Sequence, residues 1–383
     1  MSITRKALVN SLTLQLLSGQ WLTIHGPRGI GKNYLAAAIY KEINDEHNEY
    51  FIVHHINFKE TNATSKSDLE NKLIDGLKGH FETGYDKSQY SDFIDCLEQL
   101  SEQSNKAIIL IITELDRAAQ EGSEYFAKRL GQLYTYQKAN TGKQITTLIS
   151  SDEGTNKLVF QKTSPFRACK HIELKELTEQ ETIEWLAKDC PLISKEDRTI
   201  VYKKTEGFPG LIYEFINFVN CLHDAHYFSI QGLIDKFIDE AVDKDNRIQI
   251  QLVHHWFRQI THPWLVEAID QLNQGKVVKI DESKFSRAEL ATCGFVKLDG
   301  NYVTYRNIMI RLIVKHYATP LSIADHYWIF ATKYTGYWKK GVDLYLHSNR
   351  IEASQRKRSP NKVIGPNNHS IGSFIHAISV SAQ

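Results

Sequence analysis

The fold is decided by Gly26-Pro27-Arg28-Gly29-Ile30-Gly31-Lys32-Asn33, a stretch whose Gly-x-x-x-x-Gly-Lys spacing is that of a phosphate-binding P-loop. In such a loop the glycines let successive backbone N–H groups point at phosphate oxygens, and the helix that follows adds the partial positive charge of its N-terminus. Lys32 is the residue expected to bridge the β- and γ-phosphates. We therefore predict that ATP or ADP binds to this stretch and to Tyr34, the next residue along the chain.

The residues on either side of the loop support the motif. Before it, 20–25 form a short apolar run of strand character, and after it, 34–40 have helical propensity and an apolar face. A P-loop joins a strand to the helix that follows, so the motif lies in the context that it requires.

The position after the P-loop lysine departs from the usual motif. It normally carries a serine or threonine whose hydroxyl binds Mg²⁺, whereas this chain has Asn33. An asparagine carbonyl is still an oxygen ligand of the kind that a hard cation accepts. We therefore predict a weak magnesium contact at Asn33.

A second motif for ATP chemistry follows the apolar run 107–112. In P-loop ATPases this strand end usually has an aspartate that holds Mg²⁺, followed by a glutamate that orients the attacking water. Thr113 takes the first place and Glu114 the second. We predict Glu114 as the catalytic residue with Asp116 in support, and Thr113 as a weak magnesium contact. Two alternatives stay open: Glu114 serves the metal and Asp116 the water, or both acids only solubilise the strand end.

The two departures weaken the same function. Asn33 and Thr113 each replace a group that ordinarily binds Mg²⁺, directly or through water. A single cause, weaker use of the metal, explains both changes more simply than coincidence does. The sequence therefore predicts tight binding of ATP or ADP with Mg²⁺, and slow hydrolysis.

Two further residues are candidates for sensing or stabilising the γ-phosphate. Ser150 ends the apolar run 145–149, where a polar side chain can contact the γ-phosphate, although serine is also common in loops. Arg167 precedes the last predicted strand of the sheet, where it can reach the nucleotide of a neighbouring subunit as an arginine finger. The alternative for Arg167 is an ordinary surface arginine.

The pattern along the chain predicts an α/β P-loop domain followed by helices. Strand-like runs at 50–53, 107–112, 145–149 and 170–174 alternate with helical patterns, which favours a parallel sheet with helices on both faces. Helix starts at Thr178 and Ser194 and a hairpin at 294–305 follow. The predicted divisions are a nucleotide-binding domain at 1–175, a helical lid at 176–227, a winged-helix domain at 228–318 and an aromatic and basic extension at 319–383.

Composition and charge narrow the class of protein. The hydrophobic content of 42% and charged content of 24% are ordinary for a soluble protein, and neither a membrane span nor a secretory signal is evident, so we expect a cytoplasmic protein with no membrane partner. The five cysteines form no metal-binding pattern. The segment 333–362 has eight basic and two acidic residues in a chain of net charge +1, which suits nucleic acid, an acidic partner or a solvated tail.

The order of these parts resembles the STAND branch of AAA+ ATPases, which includes the NACHT and apoptotic ATPases and their prokaryotic relatives and lies close to the archaeal and origin-recognition ATPases. The resemblance covers about residues 1–318. It is carried by the P-loop, the 108–116 strand end, Ser150, Arg167, the segment 172–178 and Gly207-Phe208-Pro209. It implies a helical lid whose Pro209 contacts the base or ribose of the nucleotide, and a winged helix that closes over the site.

The resemblance also implies a function. STAND proteins are switches that ADP holds shut and that ATP opens, so that the protein forms a homo-oligomer or a complex with an effector. Such a switch tolerates poor hydrolysis, because binding alone shifts the populations of two states. Prokaryotic members often serve in antiviral defence.

Two other functions stay open at this stage. The first is a DNA-binding AAA+ ATPase of the origin-recognition or transposition-helper kind, which would use the winged helix and 333–362 on DNA. The expected recognition helix, 283–290, has two basic residues and one acidic residue, fewer positive charges than DNA-binding helices usually have. The second is a degenerate P-loop scaffold that binds no nucleotide.

Overall fold

A computed structural model describes residues 5–61, 65–81, 85–115, 120–139, 145–150, 169–222, 224–242, 263–283, 290 and 293–317. Asp116, Arg167, residues 243–262 of the predicted winged-helix domain, most of the 283–290 segment and all of 319–383 lie outside these ranges. Within them, no helix combines the length and the apolar character needed to cross a membrane.

Five parallel strands form the sheet that the apolar runs predict. They are β1 (Leu22–His25), β2 (Phe51–Asn57), β3 (Ala107–Thr113), β4 (Ile145–Ser150) and β5 (Lys170–Glu173), in the order β2-β3-β4-β1-β5. From Ile108 onward β3 is buried at every position, which explains why its sequence is continuously apolar rather than alternating.

Helices cover both faces of this sheet. They are α1 (Lys6–Leu17), α2 (Lys32–Glu46), α3 (Phe58–Thr61), α4 (Lys66–Leu77), α5 (Phe93–Ser104) and α6 (Gln120–Ala139), with 3₁₀ turns at Lys78–His80 and Lys87–Gln89. Ile109 and Ile111 join a core that includes α1 and α2, whereas Ile108, Leu110 and Ile112 join one that includes α4 and α5. The alternation of side chains along β3 therefore divides the two cores.

Between the sheet and residue 242 the described part of the chain has four α-helices, in the region where the sequence predicts a change to helix. They are α7 (Glu179–Asp189), α8 (Lys195–Thr205), α9 (Pro209–Cys221) and α10 (Ile230–Val242), with a 3₁₀ turn at Ala225–Tyr227. The predicted capping box at Thr178 is confirmed, since its hydroxyl accepts from the Glu181 N–H and the Glu181 carboxylate accepts from the Thr178 N–H. Ser194 caps α8 with its hydroxyl, which accepts from the Asp197 N–H at 3.1 Å.

The described residues from 263 to 317, called the C-terminal part below, contain a second sheet. Its elements are α11 (Pro263–Asn273), β6 (Val278–Lys279), β7 (Val296–Asp299), β8 (Tyr302–Tyr305) and α12 (Ile308–Tyr317). The predicted hairpin is present as the antiparallel pair β7 and β8, with Gly300 at the turn. The strand β6, which pairs with β8, was not predicted because two residues carry no periodic signal.

One continuous core joins the C-terminal part to the P-loop side of the sheet. Leu35 of α2, Phe215 of α9 and Phe295 of the C-terminal part belong to the same cluster of buried side chains. The C-terminal part and the helix that begins at the P-loop therefore share one core.

Candidate nucleotide-binding site

The P-loop lies at the carboxyl edge of the parallel sheet, where ligands of such sheets bind. The register places Thr113 of β3 beside Ser150 of β4, and Ser150 beside Ile24 of β1. Gly26 follows β1 directly after His25. The ends of three neighbouring strands and the start of α2 are thus brought to one place.

The loop has the backbone conformation that its glycines permit. Gly31 is the N-cap of α2 and has φ +94°, in the left-handed region that residues with a Cβ rarely adopt. Ile30, just before it, is fully buried and anchors the loop to the core. The buried Ile30 side chain therefore holds the loop against the core, and Gly31 allows the backbone to turn into α2.

Lys32 is held against the loop to which it belongs. Its Nζ donates to the carbonyl oxygens of Gly26, at 2.7 Å, and Pro27, at 3.0 Å, and the residue is only 5% exposed. The cation that the motif predicts for phosphate binding is therefore fixed beside the backbone that would bind the same phosphates.

Asn33 connects two of the predicted strand-end residues. Its Nδ2 donates to Oε1 of Glu114 at 2.7 Å, and its Oδ1 lies 3.5 Å from Oγ of Ser150. The backbone N–H of Glu114 also donates to the carbonyl of Ser150, at 3.1 Å. The P-loop amide, the carboxylate and the serine, which the sequence predicts separately, therefore form one hydrogen-bonded group.

Thr113 has a different partner. Its hydroxyl is buried and lies 2.9 Å from Nε2 of His55, on the neighbouring strand β2. Burial lowers the pKa of His55, although the nearby Glu60 carboxylate opposes the shift. Burial therefore disfavours a positive charge on His55 beside the Thr113 hydroxyl.

These side chains do not fit a magnesium ion held by the protein alone. The oxygens of Asn33 and Thr113 are neutral and take part in the contacts above, whereas magnesium prefers carboxylate and phosphate oxygens. Glu114 is the carboxylate of this group, and among the described residues no cluster of three or more His, Cys, Asp or Glu is placed to hold a metal. The weak magnesium contacts of Asn33 and Thr113 stay predictions.

A narrow recess opens beside the P-loop, between α1, α2 and α9. It is lined by Arg5, Val9, Ile30, Gly31, Tyr34, Leu35 and Pro209. Pro209 is close enough that a Cβ added to Gly31 would lie 3.9 Å from it. The predicted nucleotide-contacting residues Tyr34 and Pro209 therefore lie on the same recess as the loop.

Arg5 is a residue of this recess that the sequence did not point to. Its guanidinium donates to the carbonyl of Lys175, while its buried Nη1 has no hydrogen-bond partner among the described residues. Burial lowers the pKa of Arg5, and the carboxylates of Glu181 and Glu176 oppose the shift. A single arginine before a helix is not part of any recognisable motif. Its position at the recess therefore becomes evident only in the folded structure.

The residues from Thr205 to Pro209, called the linking segment below, contact both the loop between β5 and α7 and the C-terminal part. Gly207 lies against Leu177, whose N–H donates to the Gly207 carbonyl at 2.9 Å. Asn307 Nδ2 donates to the Thr205 carbonyl at 2.9 Å. The linking segment therefore joins the recess beside the P-loop to the end of the described chain.

The other predicted site residues, Asp116 and Arg167, lie outside the described residues. The support that Asp116 gives Glu114 and the arginine finger at Arg167 stay predictions.

Comparison with known proteins identifies a family and a fold. A model of the ATPase_2 family, an ATPase domain predominantly from Archaea, matches residues 12–215, more than half of the chain. The structure of a Walker-type ATPase of Pyrococcus abyssi is similar over 82% of this chain and 96% of that one, with 13% identity and a TM-score of 0.59. No curated protein matches the chain.

Two further solved structures share less of the fold. The Cdc6 protein of Pyrobaculum aerophilum covers 82% of this chain and 95% of its own, with 13% identity and a TM-score of 0.44. A STAND protein of Pyrococcus horikoshii with a tetratricopeptide repeat sensor covers 93% of this chain and 50% of its own, with 13% identity and a TM-score of 0.36. At 13% identity the likeness to the Pyrococcus abyssi ATPase is one of fold.

Proposed function

The chain belongs to the family of ATPase domains found predominantly in Archaea, and we propose that it is an ATP/ADP-binding switch of the STAND type. In this proposal 176–227, with α7–α9, form the lid, 228–318, with α10 and the C-terminal part, form the winged-helix domain, and the bound nucleotide sets the position of both. The change exposes a surface for further copies of the chain or for an effector protein. A role in antiviral defence is proposed on the STAND resemblance alone.

The observation that carries the proposal is the double contact of the linking segment. At one end Pro209 lines the recess beside the P-loop, and at the other Thr205 accepts from Asn307 of the C-terminal part. A ligand that moves Pro209 therefore moves a segment to which the C-terminal part is attached. ATP and ADP share the nucleoside that Pro209 would contact, so this contact couples nucleotide occupancy to the C-terminal part. The two nucleotides would differ at the γ-phosphate, which Glu114 and Ser150 are predicted to face, and a ligand shifts the equilibrium only by its differential affinity for the two states.

Nucleotide binding is assigned to the P-loop and the recess. Backbone N–H groups of the loop and the Lys32 ammonium would hold the phosphates, while Tyr34, Arg5 and Pro209 would lie beside the nucleoside. Slow hydrolysis is proposed because Asn33 and Thr113 replace the usual metal-handling groups and are engaged with protein partners. Bound Mg²⁺ would supply charge neutralisation at the phosphates.

Lys32→Ala is the direct test of nucleotide binding. We expect the affinity for ATP and for ADP to fall by about 10- to 100-fold, since charge-assisted hydrogen bonds to phosphate are lost. Titration calorimetry on the full chain measures this, and Lys41→Ala, an exposed lysine of the same helix, is the matched control. Unchanged affinity in Lys32→Ala, or no binding by the unsubstituted protein, would favour the scaffold that binds no nucleotide.

The switch itself is tested by measuring the mass of the assembly that the purified protein forms in the presence of ATP and of ADP. We expect multi-angle light scattering to give a larger assembly with ATP than with ADP, and Lys32→Ala to remain at the smaller mass in both. The nucleotide retained through purification, identified by chromatography, should be ADP. Equal masses in ATP, ADP and buffer would contradict the switch even if nucleotide binds.

Arg5→Met tests whether the recess takes the nucleoside. We expect about a tenfold loss of ATP affinity, the size of a lost hydrogen bond from a charged group, and little change in the affinity for inorganic triphosphate, which has no nucleoside. Lys6→Met, an exposed neighbour, is the control. An equal loss for ATP and inorganic triphosphate would instead place Arg5 on the phosphates.

A further inference from the structure

The contact between Asn33 and Glu114 joins a P-loop position to the residue predicted to orient the attacking water. The two residues are 81 positions apart, and the Nδ2 to Oε1 distance of 2.7 Å is that of a strong hydrogen bond to a charged acceptor. Serine or threonine, the usual residues at this P-loop position, lack an amide N–H that could make it.

The backbone of Glu114 is consistent with a residue that is held in place. It has φ +56°, in the left-handed region that non-glycine residues rarely adopt. Its N–H donates to the carbonyl of Ser150 in this conformation, and Ser150 Oγ lies beside the Asn33 amide. Two strand ends and the first turn of α2 thus fix the direction of the Glu114 side chain.

The chemistry shows what such a contact would do. In ATP hydrolysis a water oxygen bonds to the γ-phosphorus, and the bond to the β,γ-bridging oxygen breaks, with its electron pair leaving on ADP. A carboxylate orients that water by accepting a hydrogen bond from it, and the proton passes to the product phosphate or to solvent. A carboxylate can accept from several donors, so one amide does not occupy it, but an amide fixed on the P-loop holds the carboxylate in one direction.

We propose that Asn33 is a positioning residue that holds the Glu114 carboxylate on the P-loop and away from the attacking water. This inference rests on the proposed function and adds a specific cause for slow turnover. Glu114 is retained and competent, and the residue after the P-loop lysine restrains it. A switch built this way stays in its ATP state because the restraint is part of the nucleotide site itself.

The test is the turnover of Asn33→Ala and Asn33→Thr in the full chain. Asn33 is exposed on the first turn of α2, so neither change disturbs the core. We expect both variants to raise kcat for ATP by about tenfold or more, within the range that a positioned carboxylate contributes, with KM within about threefold. The gain should vanish in Asn33→Thr combined with Glu114→Gln.

Asn57→Thr is the matched control. Asn57 ends the neighbouring strand β2 and its amide donates to Glu60 rather than to Glu114, so the same chemical change there should leave kcat unchanged. A second readout needs no nucleotide. In urea unfolding of the apo protein, Asn33→Ala and Glu114→Ala should shift the midpoint non-additively, since each removes the same hydrogen bond.

The outcomes separate the two proposals. If ATP binds and kcat stays within about twofold of the unsubstituted value in both Asn33 variants, the restraint is wrong and the switch stands. A gain in kcat that survives Glu114→Gln, or additive midpoints in the apo protein, also overturns the restraint. If the unsubstituted protein binds no nucleotide, the proposed function fails and the restraint fails with it.

Discussion

Gly207→Ala is expected to lower the free energy of unfolding by about 4 kcal/mol or more, a loss that few single substitutions cause. Gly207 has φ +72°, and a Cβ added to it would lie 1.9 Å from the carbonyl oxygen of Leu177. The left-handed backbone alone costs alanine about 1 kcal/mol. The larger share comes from the contact with Leu177, because a backbone atom cannot turn aside as a side chain can.

The same substitution should weaken nucleotide binding. Leu177 is buried and precedes the capping box that starts α7, so the strain is relieved by moving the linking segment. Pro209, two residues on, would then leave its place beside Gly31. We expect the affinity for ADP to fall together with stability in Gly207→Ala.

Gly275→Ala separates the two contributions. Gly275 follows α11 with φ +76°, and nothing lies within 4 Å of a Cβ added there. We expect it to cost about 1 kcal/mol, the left-handed penalty alone, and to leave ADP affinity unchanged. Chemical denaturation of both variants gives the comparison. Equal losses in Gly207→Ala and Gly275→Ala would show that Leu177 yields at no cost.

The sequence predicts those parts of the fold whose signals are local. The run at 107–112 is apolar at every position because β3 is buried on both faces, and helix starts at Thr178 and Ser194 depend on hydrogen bonds three residues away. Gly207 was identified within a motif, but the reason for a glycine there is the backbone of Leu177, which no local pattern reveals.

The candidate site shows the same division. Glycine spacing identified the P-loop, and strand ends identified Glu114 and Ser150, yet the hydrogen bonds that join them to Asn33 follow from the register of β1, β3 and β4. Arg5 reaches the carbonyl of Lys175 across 170 positions. Long-range contacts of single residues carry no periodicity, so they appear only once the chain is folded.

Arg306→Met is the second substitution expected to have a large effect. The guanidinium donates to the Gly294 and Val296 carbonyls and to the Glu176 carboxylate, the last at 2.7 Å, and lies over the Phe208 ring at 5.6 Å. Methionine keeps an unbranched apolar stem but leaves these acceptors without their donor. Because Glu176 is partly exposed, we expect a loss of about 3 kcal/mol, the lower end for breaking a buried ion pair.

Lys297→Ala is the matched control, since Lys297 also contacts the linking segment from the C-terminal part, through an ion pair with Glu206. Lys297 and Glu206 are 2.8 Å apart, but their side chains are 41% and 46% exposed. An exposed pair of this kind contributes about 0.5 kcal/mol. Denaturation of Arg306→Met and Lys297→Ala therefore compares a buried and an exposed link between the same two regions.

The two links should also differ in what they do to the nucleotide. Arg306 holds Glu176 and Phe208, and Phe208 directly precedes Pro209 on the recess, whereas Lys297 contacts the linking segment at the exposed Glu206 side chain. If the C-terminal part keeps the nucleotide bound by fixing Pro209, Arg306→Met should speed the release of a fluorescent ADP analogue and Lys297→Ala should not. Release at the unsubstituted rate in a destabilised Arg306→Met would show that the contact supports the fold without controlling the site.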